Sequence, residues 1–326
     1  MHKSKEFIGI DISKKVFDVW SEKWGYKQFK NTSEGFSAFL LLLTSQSWCV
    51  MEFTGSYYHQ LALFLHDNDV AVSVVNPLVI KRFIQMKLQH NKTDKSDARM
   101  IVRYAKEQPL SLWKPQPQYI RDCKDLHTVI SLYHKQRTAL KNKLHSFVDQ
   151  GLKGKVVTSV KRHIRQLDAE IKLLESQLET ITKTHEQELL SNLLSIPGLG
   201  RKTAILLIVC TNGFKTFENS RQLSAFFGLS PVIRASGSSV RGKTRISKRG
   251  NPMVRNHLFM CSFTAYSKNH QCKALYKRIV NKGKSKKLAL IAVTNKLLAQ
   301  SLAIAKSGMR YDPDFKSVNP SNNFSF

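Results

Sequence analysis

The sequence predicts an α/β N-terminal domain, a helical middle region and a mainly helical C-terminal region. Over residues 1–110, short apolar runs typical of strands alternate with segments of helical period. Prolines then interrupt the pattern, and residues 111–190 carry a heptad repeat of apolar residues. Residues 191–326 return to shorter helical segments around a loop rich in glycine, serine and arginine. We therefore expect three domains with these boundaries.

In the first domain, three strands joined by tight turns precede an alternation of helix and strand. The predicted strands are Phe7–Ile12, Val16–Trp20, Tyr26–Lys30, Trp48–Phe53 and Val70–Val75. The predicted helices cover residues 36–43, 57–66, 78–88 and 94–106, the first with Ser33 as its N-cap. By analogy of pattern, three hairpin-linked strands followed by helix, strand, helix, strand and helix is the element order of a ribonuclease H-like fold.

In the middle region, apolar residues spaced alternately by three and four positions predict a coiled-coil seam. The second arm of this region provides Val157, Val160, Ile164, Leu167, Ile171, Leu174, Leu178 and Ile181. The first arm provides Leu126, Tyr133, Leu140 and Phe147. The partner of the second arm is either the first arm folded back or the same helix of another protomer.

The C-terminal region is expected to contain four helices and most of the positive charge. The predicted helices cover residues 203–210, 220–227, 252–266 and 285–306, with Gly308 following the last one. The chain has 52 Lys and Arg against 23 Asp and Glu, a net charge of +29, and no acidic residue lies between Asn219 and Tyr311. Because neutralising phosphates supplies most sequence-independent affinity for nucleic acid, we expect a polyanionic partner.

Cysteine usage and hydropathy exclude several other classes of protein. The five cysteines form no CxxC pair, and their odd number disfavours a disulfide framework or a zinc ribbon. The longest uninterrupted apolar run, Ala204–Cys210, is far shorter than a bilayer span, and no signal-peptide pattern opens the chain. A cytoplasmic protein without a membrane partner is therefore expected.

Four carboxylates of the first domain form a candidate metal site. Asp11 lies inside an apolar strand, and Glu52 ends another strand. Asp94 and Asp97 share one face of a predicted helix because they are three positions apart. Each has an ordinary structural explanation alone, but four converging carboxylates match the oxygen ligands of hard cations such as Mg²⁺. Two such ions can stabilise the attacking and leaving oxygens of a phosphoryl transfer.

These acids stand in segments that resemble the DEDD transposases of the insertion-sequence one-ten and eleven-eleven type. The segments are Phe7–Asp11, Met51–Tyr57 and Lys92–Ala98. The resemblance implies a RuvC-like N-terminal domain and a Mg²⁺- or Mn²⁺-dependent site made of Asp11, Glu52, Asp94 and Asp97.

A serine-rich loop in the carboxylate-free region is the second candidate site. Residues 234–243 place Ser236, Ser238 and Ser239 among basic residues, a composition that also fits a flexible phosphate-binding loop. A serine needs a base or a metal to become a nucleophile, and none of the local residues is acidic. The basic residues expected to contact nucleic acid here are Arg234, Arg241, Lys243, Arg245, Lys248, Arg249 and Arg255.

The segments Leu229–Pro231, Ser236–Gly242 and Ser247–Asn251 resemble the C-terminal transposase domain of the same family. The resemblance implies that Ser236 is a nucleophile that forms a phosphoserine–DNA intermediate, with Ser238 and Ser239 as phosphate or backbone contacts. It also implies a homo-oligomer, a dimer or a tetramer, and a structured non-coding guide RNA that pairs with donor and target DNA.

A turn at residues 197–202 is similar to a helix-hairpin-helix. Gly198, Gly200 and Lys202 would hold a phosphate there with backbone N–H groups at a helix N-terminus, although an ordinary helix–helix turn has a similar sequence. Three functions remain open on the residues: a transposase or recombinase, a RuvC-like nuclease that hydrolyses DNA with water, and a basic nucleic-acid-binding protein without catalytic activity.

Overall fold

The computed structural model describes residues 5–53, 55, 57–87, 94–232, 235–236, 240–241 and 245–315. At positions 94, 95, 235, 236, 240 and 241, this description covers the backbone only. The chain divides into two compact units, Met1–Pro115 and Gln116–Phe326. The first is a mixed α/β unit and the second is mainly helical, which confirms the predicted order of classes along the chain.

Within its described residues, the N-terminal unit contains one five-stranded sheet and four helices. Its strands are β1 Glu6–Ile12, β2 Val16–Ser21, β3 Gly25–Lys30, β4 Ser47–Glu52 and β5 Ala71–Val75. Its helices are α1 Ser33–Leu40, α2 Tyr58–Asp67, α3 Pro77–Met86 and α4 Asp94–Glu107. The strand order is β3-β2-β1-β4-β5. The first three strands are antiparallel, and β4 and β5 run parallel to β1.

Helices cover both faces of this sheet, which is why its central strands are apolar on both sides. Ile8 and Ile10 of β1 pack with residues of α1 and α2 on one face. Phe7 and Val50 pack on the opposite face with residues of α3 and α4, among them Ile101. Successive residues of a strand point to opposite faces. Asp11, which follows Ile10, therefore lies on the face covered by α3 and α4.

The N-cap of α1 differs from the prediction by one residue. Thr32 has an extended backbone, and its hydroxyl accepts a hydrogen bond from the Gly35 N–H at 3.4 Å. The predicted cap, Ser33, is already the first helical residue. Threonine satisfies an otherwise unpaired N–H of the first turn in the same way as serine.

The C-terminal unit is built from seven helices and four two-residue strands within its described residues. The helices are α5 Gln118–Asp149, α6 Lys155–Leu194, α7 Arg201–Thr211, α8 Ser220–Phe226, α9 Pro252–Lys268, α10 His270–Asn281 and α11 Lys286–Ser307. The strands are β6 Pro231–Val232, β7 Ala235–Ser236, β8 Val240–Arg241 and β9 Arg245–Ile246. Gly308 follows α11 in a left-handed conformation, as predicted.

Helix α10 is missing from the prediction, which placed no helix between residues 266 and 285. Asn269 is fully buried and separates α9 from α10. Its side-chain oxygen accepts a hydrogen bond from the Cys272 N–H at 3.1 Å and so caps the new helix. Its amide group donates to Gln300 of α11 at 3.0 Å. A fully buried asparagine within a polar segment thus sets the corner between the two helices.

Helices α5 and α6 pack against each other in antiparallel orientation within one chain. Arg137 of α5 donates to Asp168 of α6 at 2.8 Å, and Cys123, earlier on α5, lies 4.0 Å from Thr182, later on α6. Five of the nine buried positions of α6 belong to the predicted apolar repeat. They are Val157, Ile164, Leu167, Ile171 and Leu178. Burial of this seam by the protein's own first arm favours the folded-back alternative.

The core of the C-terminal unit surrounds α7 and α11. Ala204, Leu207 and Leu297 are completely buried there. Among the described residues, α11 is the one helix that is long and apolar enough to cross a membrane by length and composition. Because 56% of its most apolar window is buried within the protein, its composition is that of a core helix.

Candidate active site

Asp11 and Glu52 lie side by side on neighbouring parallel strands. Ile10 of β1 is the register partner of Met51 of β4, and Asp11 and Glu52 are the next residues of the two strands. Ile10 and Met51 both point to the face covered by α1 and α2. Asp11 and Glu52, which follow them, therefore share the opposite face. Both side chains are half-buried. The strand register thus brings together the first two predicted site residues.

Helix α4 crosses this face of the sheet directly over β1. A Cβ atom at Gly9 would overlap the carbonyl oxygen of Ala98 and lie 3.0 Å from the backbone nitrogen of Val102. At the far end of α4, Lys106 pairs with Glu22, which follows β2. Because α4 runs from the level of Gly9 back toward the start of β1, its first turn lies toward Asp11.

That first turn carries the remaining two predicted acids. Asp94 is the first residue of α4, and Asp97 is half-buried one position before Ala98. The Ser96 hydroxyl lies 3.5 Å from an Asp97 carboxylate oxygen. The side chain of Asp94 lies outside the described residues. Acidic residues in the first turn also interact favourably with the helix dipole, which is their ordinary structural explanation.

Within the described part of the chain, no three His, Cys, Asp or Glu side chains lie close enough together to hold a metal ion. The Asp94 side chain, Thr54, Ser56 and residues 88–93 are not included in that description. The described geometry therefore aligns Asp11 with Glu52 and directs the α4 turn toward them. Assembly of the complete quartet remains a prediction.

A fifth carboxylate beside Asp11 was not identified from the sequence. Asp18 of β2 is the register partner of Asp11, so the two side chains are on the same face. Asp18 is only 3% exposed. One of its carboxylate oxygens, Oδ1, accepts hydrogen bonds from the Tyr26 hydroxyl at 2.5 Å and the Gln28 amide at 2.9 Å. The signal that could have identified Asp18 from the sequence is its position between two apolar residues of a predicted strand.

The predicted nucleophile lies on a short antiparallel strand pair in the C-terminal unit. Ser236 of β7 is the register partner of Val240 of β8, which places it at the last paired position before residues 237–239. The Ser236 and Arg241 side chains lie outside the described residues, as do all atoms of Arg234, Ser238, Ser239 and Lys243. The roles predicted for these residues stay predictions.

Arg255 of α9 anchors the base of the serine-containing segment. Its Nη1 atom donates to the carbonyl oxygens of Phe227 at 3.0 Å, Gly250 at 3.1 Å and Arg249 at 3.3 Å. Hydrogen bonds from a charged donor are stronger than neutral ones, so this side chain fixes where the segment returns to α9. The structure gives Arg255 a positioning role that the predicted nucleic-acid contact did not include.

Other basic residues of this segment are exposed. They are Arg245, Lys248 and Arg249. Their exposure is compatible with contact to a polyanion. It is also the usual state of surface lysines and arginines. Their predicted role in nucleic-acid binding is therefore untested.

The turn between α6 and α7 has the predicted glycine pattern but a more specific set of contacts. Gly198 has φ +97°, and a Cβ there would lie 2.7 Å from Cα of Ala265, so this glycine lets α9 approach closely. Gly200 is the N-cap of α7 and has open space beside it. Lys202 donates to both carboxylate oxygens of Glu175, at 2.7 and 2.8 Å. Phosphate binding by Lys202 would compete with this ion pair.

A cavity of about 280 Å³ adjoins this turn and is lined in part by three histidines. His127 and His134 come from α5, and His257 comes from α9. Burial lowers the pKa of His127, and the nearby His257 and His134 lower it further. Burial also lowers the pKa of His257, assisted by Lys202. These shifts favour the neutral imidazole at His127 and at His257.

Comparison with known proteins identifies the class of enzyme. Residues 8–152 match the model of the DEDD transposases of the IS110 type. Residues 190–277 match the model described as "Transposase IS116/IS110/IS902 family". The first match contains Asp11, Glu52, Asp94 and Asp97, and the second contains Ser236. The chain is thus a DNA transposase or recombinase.

Full-length relatives support the same conclusion. The chain is 31% identical over 322 residues to the "Pilin gene-inverting protein" of Moraxella lacunata, covering 95% of this chain and 98% of the relative. It is 25% identical over 321 residues to the "Transposase for insertion sequence element IS1111A" of Coxiella burnetii, covering 89% and 83%. The "Transposase for insertion sequence element IS1328" of Yersinia enterocolitica is 24% identical over 285 residues. The chain belongs to the IS110 family of DEDD transposases.

Proposed function

We propose that this transposase cuts and rejoins DNA with two sets of residues, a divalent-metal site and a serine nucleophile. The metal site consists of Asp11, Glu52, Asp94 and Asp97, and the nucleophile is Ser236. The observation that carries the proposal is the alignment of Asp11 with Glu52 beneath α4, in a chain that belongs to this family.

The donor set fits a hard divalent cation. All four proposed ligands are carboxylates, and Mg²⁺ or Mn²⁺ prefers oxygen ligands and retains several waters. Asp11 and Glu52 start from rigid neighbouring strands, whereas Asp94 and Asp97 arrive together on one helical turn. When bound, the cation would supply charge stabilisation for a phosphoryl group. The proposed ligands would hold and orient it.

A serine nucleophile would keep the cut DNA end covalently attached to the protein. Ser236 Oγ attacks the scissile phosphorus and forms a new P–O bond, while the bond from phosphorus to one deoxyribose oxygen breaks. The serine proton passes to a base, and the departing oxygen takes up a proton. Rejoining reverses the exchange, because a hydroxyl of another DNA end attacks the phosphoserine and releases Ser236.

The proposed partners extend beyond duplex DNA. The excess of basic residues between Asn219 and Tyr311 supports binding of element ends and target DNA. We further propose a structured guide RNA, a homo-oligomer and action in the cytoplasm at the nucleoid. These three elements rest on the family resemblance.

The proposal is tested by measuring strand cutting and DNA binding in parallel for matched carboxylate variants. Asp11→Asn and Glu52→Gln should lower Mg²⁺-dependent cutting at least about 100-fold and leave the dissociation constant for DNA within about threefold. The exposed acid Asp67→Asn is the control and should cut normally. Normal cutting by both site variants would contradict the metal-site assignment.

Ser236→Ala separates recombination from hydrolysis. The variant should lose both cutting and rejoining under this proposal. A RuvC-like nuclease that uses water would keep cutting when Ser236 is replaced and lose it when Asp11 is replaced. A binding protein without catalytic activity would show no metal-dependent cutting in any variant.

A further inference from the structure

A basic groove lies between β2 and α4 in the N-terminal unit. It has a volume of about 440 Å³, and it is lined by Trp20 and Glu22 on one side and by Arg99, Arg103 and Lys106 on the other. None of the residues proposed for the metal site or the serine site lines this groove.

The three cations form one stripe along the exposed face of α4. Arg99, Arg103 and Lys106 are spaced by four and three positions, so they lie on one side of the helix. At 1.5 Å per residue, the stripe covers about 10 Å, which is the axial length of about three nucleotides of one strand in duplex DNA at 3.4 Å each. The stripe therefore has the length and charge to follow a short piece of phosphate backbone.

The floor of the groove is aromatic. The Arg99 guanidinium lies 5.6 Å from the centre of the Trp20 ring, and Trp20 is half-buried. This cation–π contact holds the Arg99 side chain along the groove. An aromatic floor with cations along one wall is typical of surfaces that bind single-stranded nucleic acid.

Ion pairs in the groove are weak enough to exchange for phosphate. Lys106 contacts Glu22 at 2.5 Å, and their side chains are 45% and 61% exposed. Arg103 contacts Glu107 at 3.1 Å, and its side chain is 54% exposed. Exposed pairs of this kind contribute about 0–1 kcal/mol. Binding of a polyanion can therefore replace them at little cost.

The groove leads to the proposed metal site. Trp20 is the register partner of Gly9, and Asp18, two residues earlier on β2, is the partner of Asp11. Residues two apart on a strand share a face and are about 7 Å apart. A strand lying over Trp20 would thus reach the level of Asp11 within about two nucleotides.

We infer that this groove binds the sugar-phosphate backbone of the DNA strand to be cut and delivers it to Asp11 and Glu52. The inference rests on the proposed function, because that function supplies the reason for a DNA strand at this face. Arg99, Arg103 and Lys106 contact its phosphates, and Trp20 contacts a base or sugar.

The first test is direct contact in the full-length protein. Single-stranded DNA containing 5-bromouracil is irradiated on the protein in EDTA, which prevents cutting, and the crosslinked peptides are sequenced. We expect a crosslink in residues 16–23, the tryptic peptide that contains Trp20. It should disappear with excess unlabelled DNA. Absence of this peptide, with crosslinks only in the C-terminal unit, would overturn the inference.

The second test removes two charges and measures the salt dependence of binding. Arg99→Gln/Arg103→Gln should raise the dissociation constant for single-stranded DNA about five- to tenfold. It should also lower the slope of log K against log salt by about 1.4, since each phosphate contact contributes about 0.7. Lys27→Gln/Lys81→Gln removes two exposed charges outside the groove and should change neither value as much.

A charge-conserving variant and a comparison with RNA complete this test. Arg99→Lys/Arg103→Lys retains both positive charges, so its slope of log K against log salt should equal that of the wild type. A lower affinity of the Gln variant would then result from the lost charges and not from a folding defect. If the Gln variant binds DNA as the control does, or loses affinity for single-stranded RNA alone, the inference is wrong. Because these measurements need no cutting, their failure is distinct from failure of the proposed catalytic site, which the Asp11→Asn cutting assay reports.

Discussion

Asp18 lies directly opposite Asp11 across the β1–β2 pair, and it is almost completely buried while Tyr26 and Gln28 donate to one of its oxygens. Acidic side chains directly opposite each other in a sheet repel. The two donors reduce this repulsion at Asp18, and a cation held by Asp11 would reduce it further. This pair therefore links the stability of the sheet to metal binding.

The first prediction concerns Asp18→Asn. The amide keeps an oxygen that can accept from Tyr26 and Gln28, but it removes the charge opposite Asp11. We expect a higher melting temperature without metal and a smaller increase when Mg²⁺ is added. Thermal unfolding with and without Mg²⁺ measures both, with Asp67→Asn as the control. An unchanged Mg²⁺-dependent increase would show that Asp18 does not act on the metal site.

The second prediction concerns the close approach of α4 to β1. Gly9→Ala adds a methyl group that would overlap the Ala98 carbonyl oxygen, so α4 must move. Overpacking of this kind typically costs about 1–3 kcal/mol. We expect a lower free energy of unfolding by denaturant and reduced Mg²⁺-dependent cutting. The exposed Lys27→Ala serves as the control. Wild-type stability and cutting in Gly9→Ala would contradict the role assigned to this contact.

The third prediction concerns pH and the histidines of the cavity beside α7. Burial lowers the pKa of His127 and His257 in the folded protein below the ordinary value of 6.5. As the pH falls through 6.5, the unfolded chain takes up protons that the folded chain does not, so stability decreases. We expect the melting temperature to fall between pH 7.5 and 5.5.

Replacing one of these histidines isolates their contribution. His257→Gln should reduce the fall in melting temperature over this pH range, whereas the exposed His163→Gln should leave it as in the wild type. If both variants show the wild-type pH dependence, His257 does not contribute to it.

The fourth prediction concerns the apolar seam of α6. Leu167 and Ile171 are 6% and 4% exposed within a single chain. Replacing large core side chains by alanine typically costs about 2–5 kcal/mol. Leu167→Ala/Ile171→Ala should therefore lower the melting temperature without changing the molar mass measured by light scattering. A smaller mass with unchanged melting of the monomer would instead assign the seam to contact between protomers. The exposed Leu173→Ala is the control.

The strands of the N-terminal sheet could be predicted closely because their apolar pattern and the turn residues between them indicate the same strand boundaries. Apolar β1 and β4 with polar turns give strand bounds within about two residues of those observed. Asn76 before Pro77 marks the start of α3, where the Asn76 side chain accepts from the Leu78 N–H at 2.9 Å. Local signals of this kind do not depend on tertiary contacts.

Other features depend on contacts that a sequence does not display. Asp18 becomes notable only through its register with Asp11, and Arg255 only through the carbonyl oxygens that surround it. The start of α10 depends on Asn269, whose burial and hydrogen bond to Gln300 of α11 come from tertiary packing. The histidine cavity joins α5, α6, α7 and α9, which are far apart along the chain. These features are determined by tertiary packing, so the local sequence pattern could not predict them.

The proposed function requires that Ser236 becomes covalently attached to DNA during cutting. This attachment is measured by trapping the reaction on labelled substrate DNA with Mg²⁺, digesting the protein and locating the DNA-modified residue by mass spectrometry. We expect a phosphodiester on Ser236, absent in Ser236→Ala and still formed in Ser238→Ala. Cutting without any covalent adduct, or an adduct that persists in Ser236→Ala, would show that Ser236 is not the nucleophile.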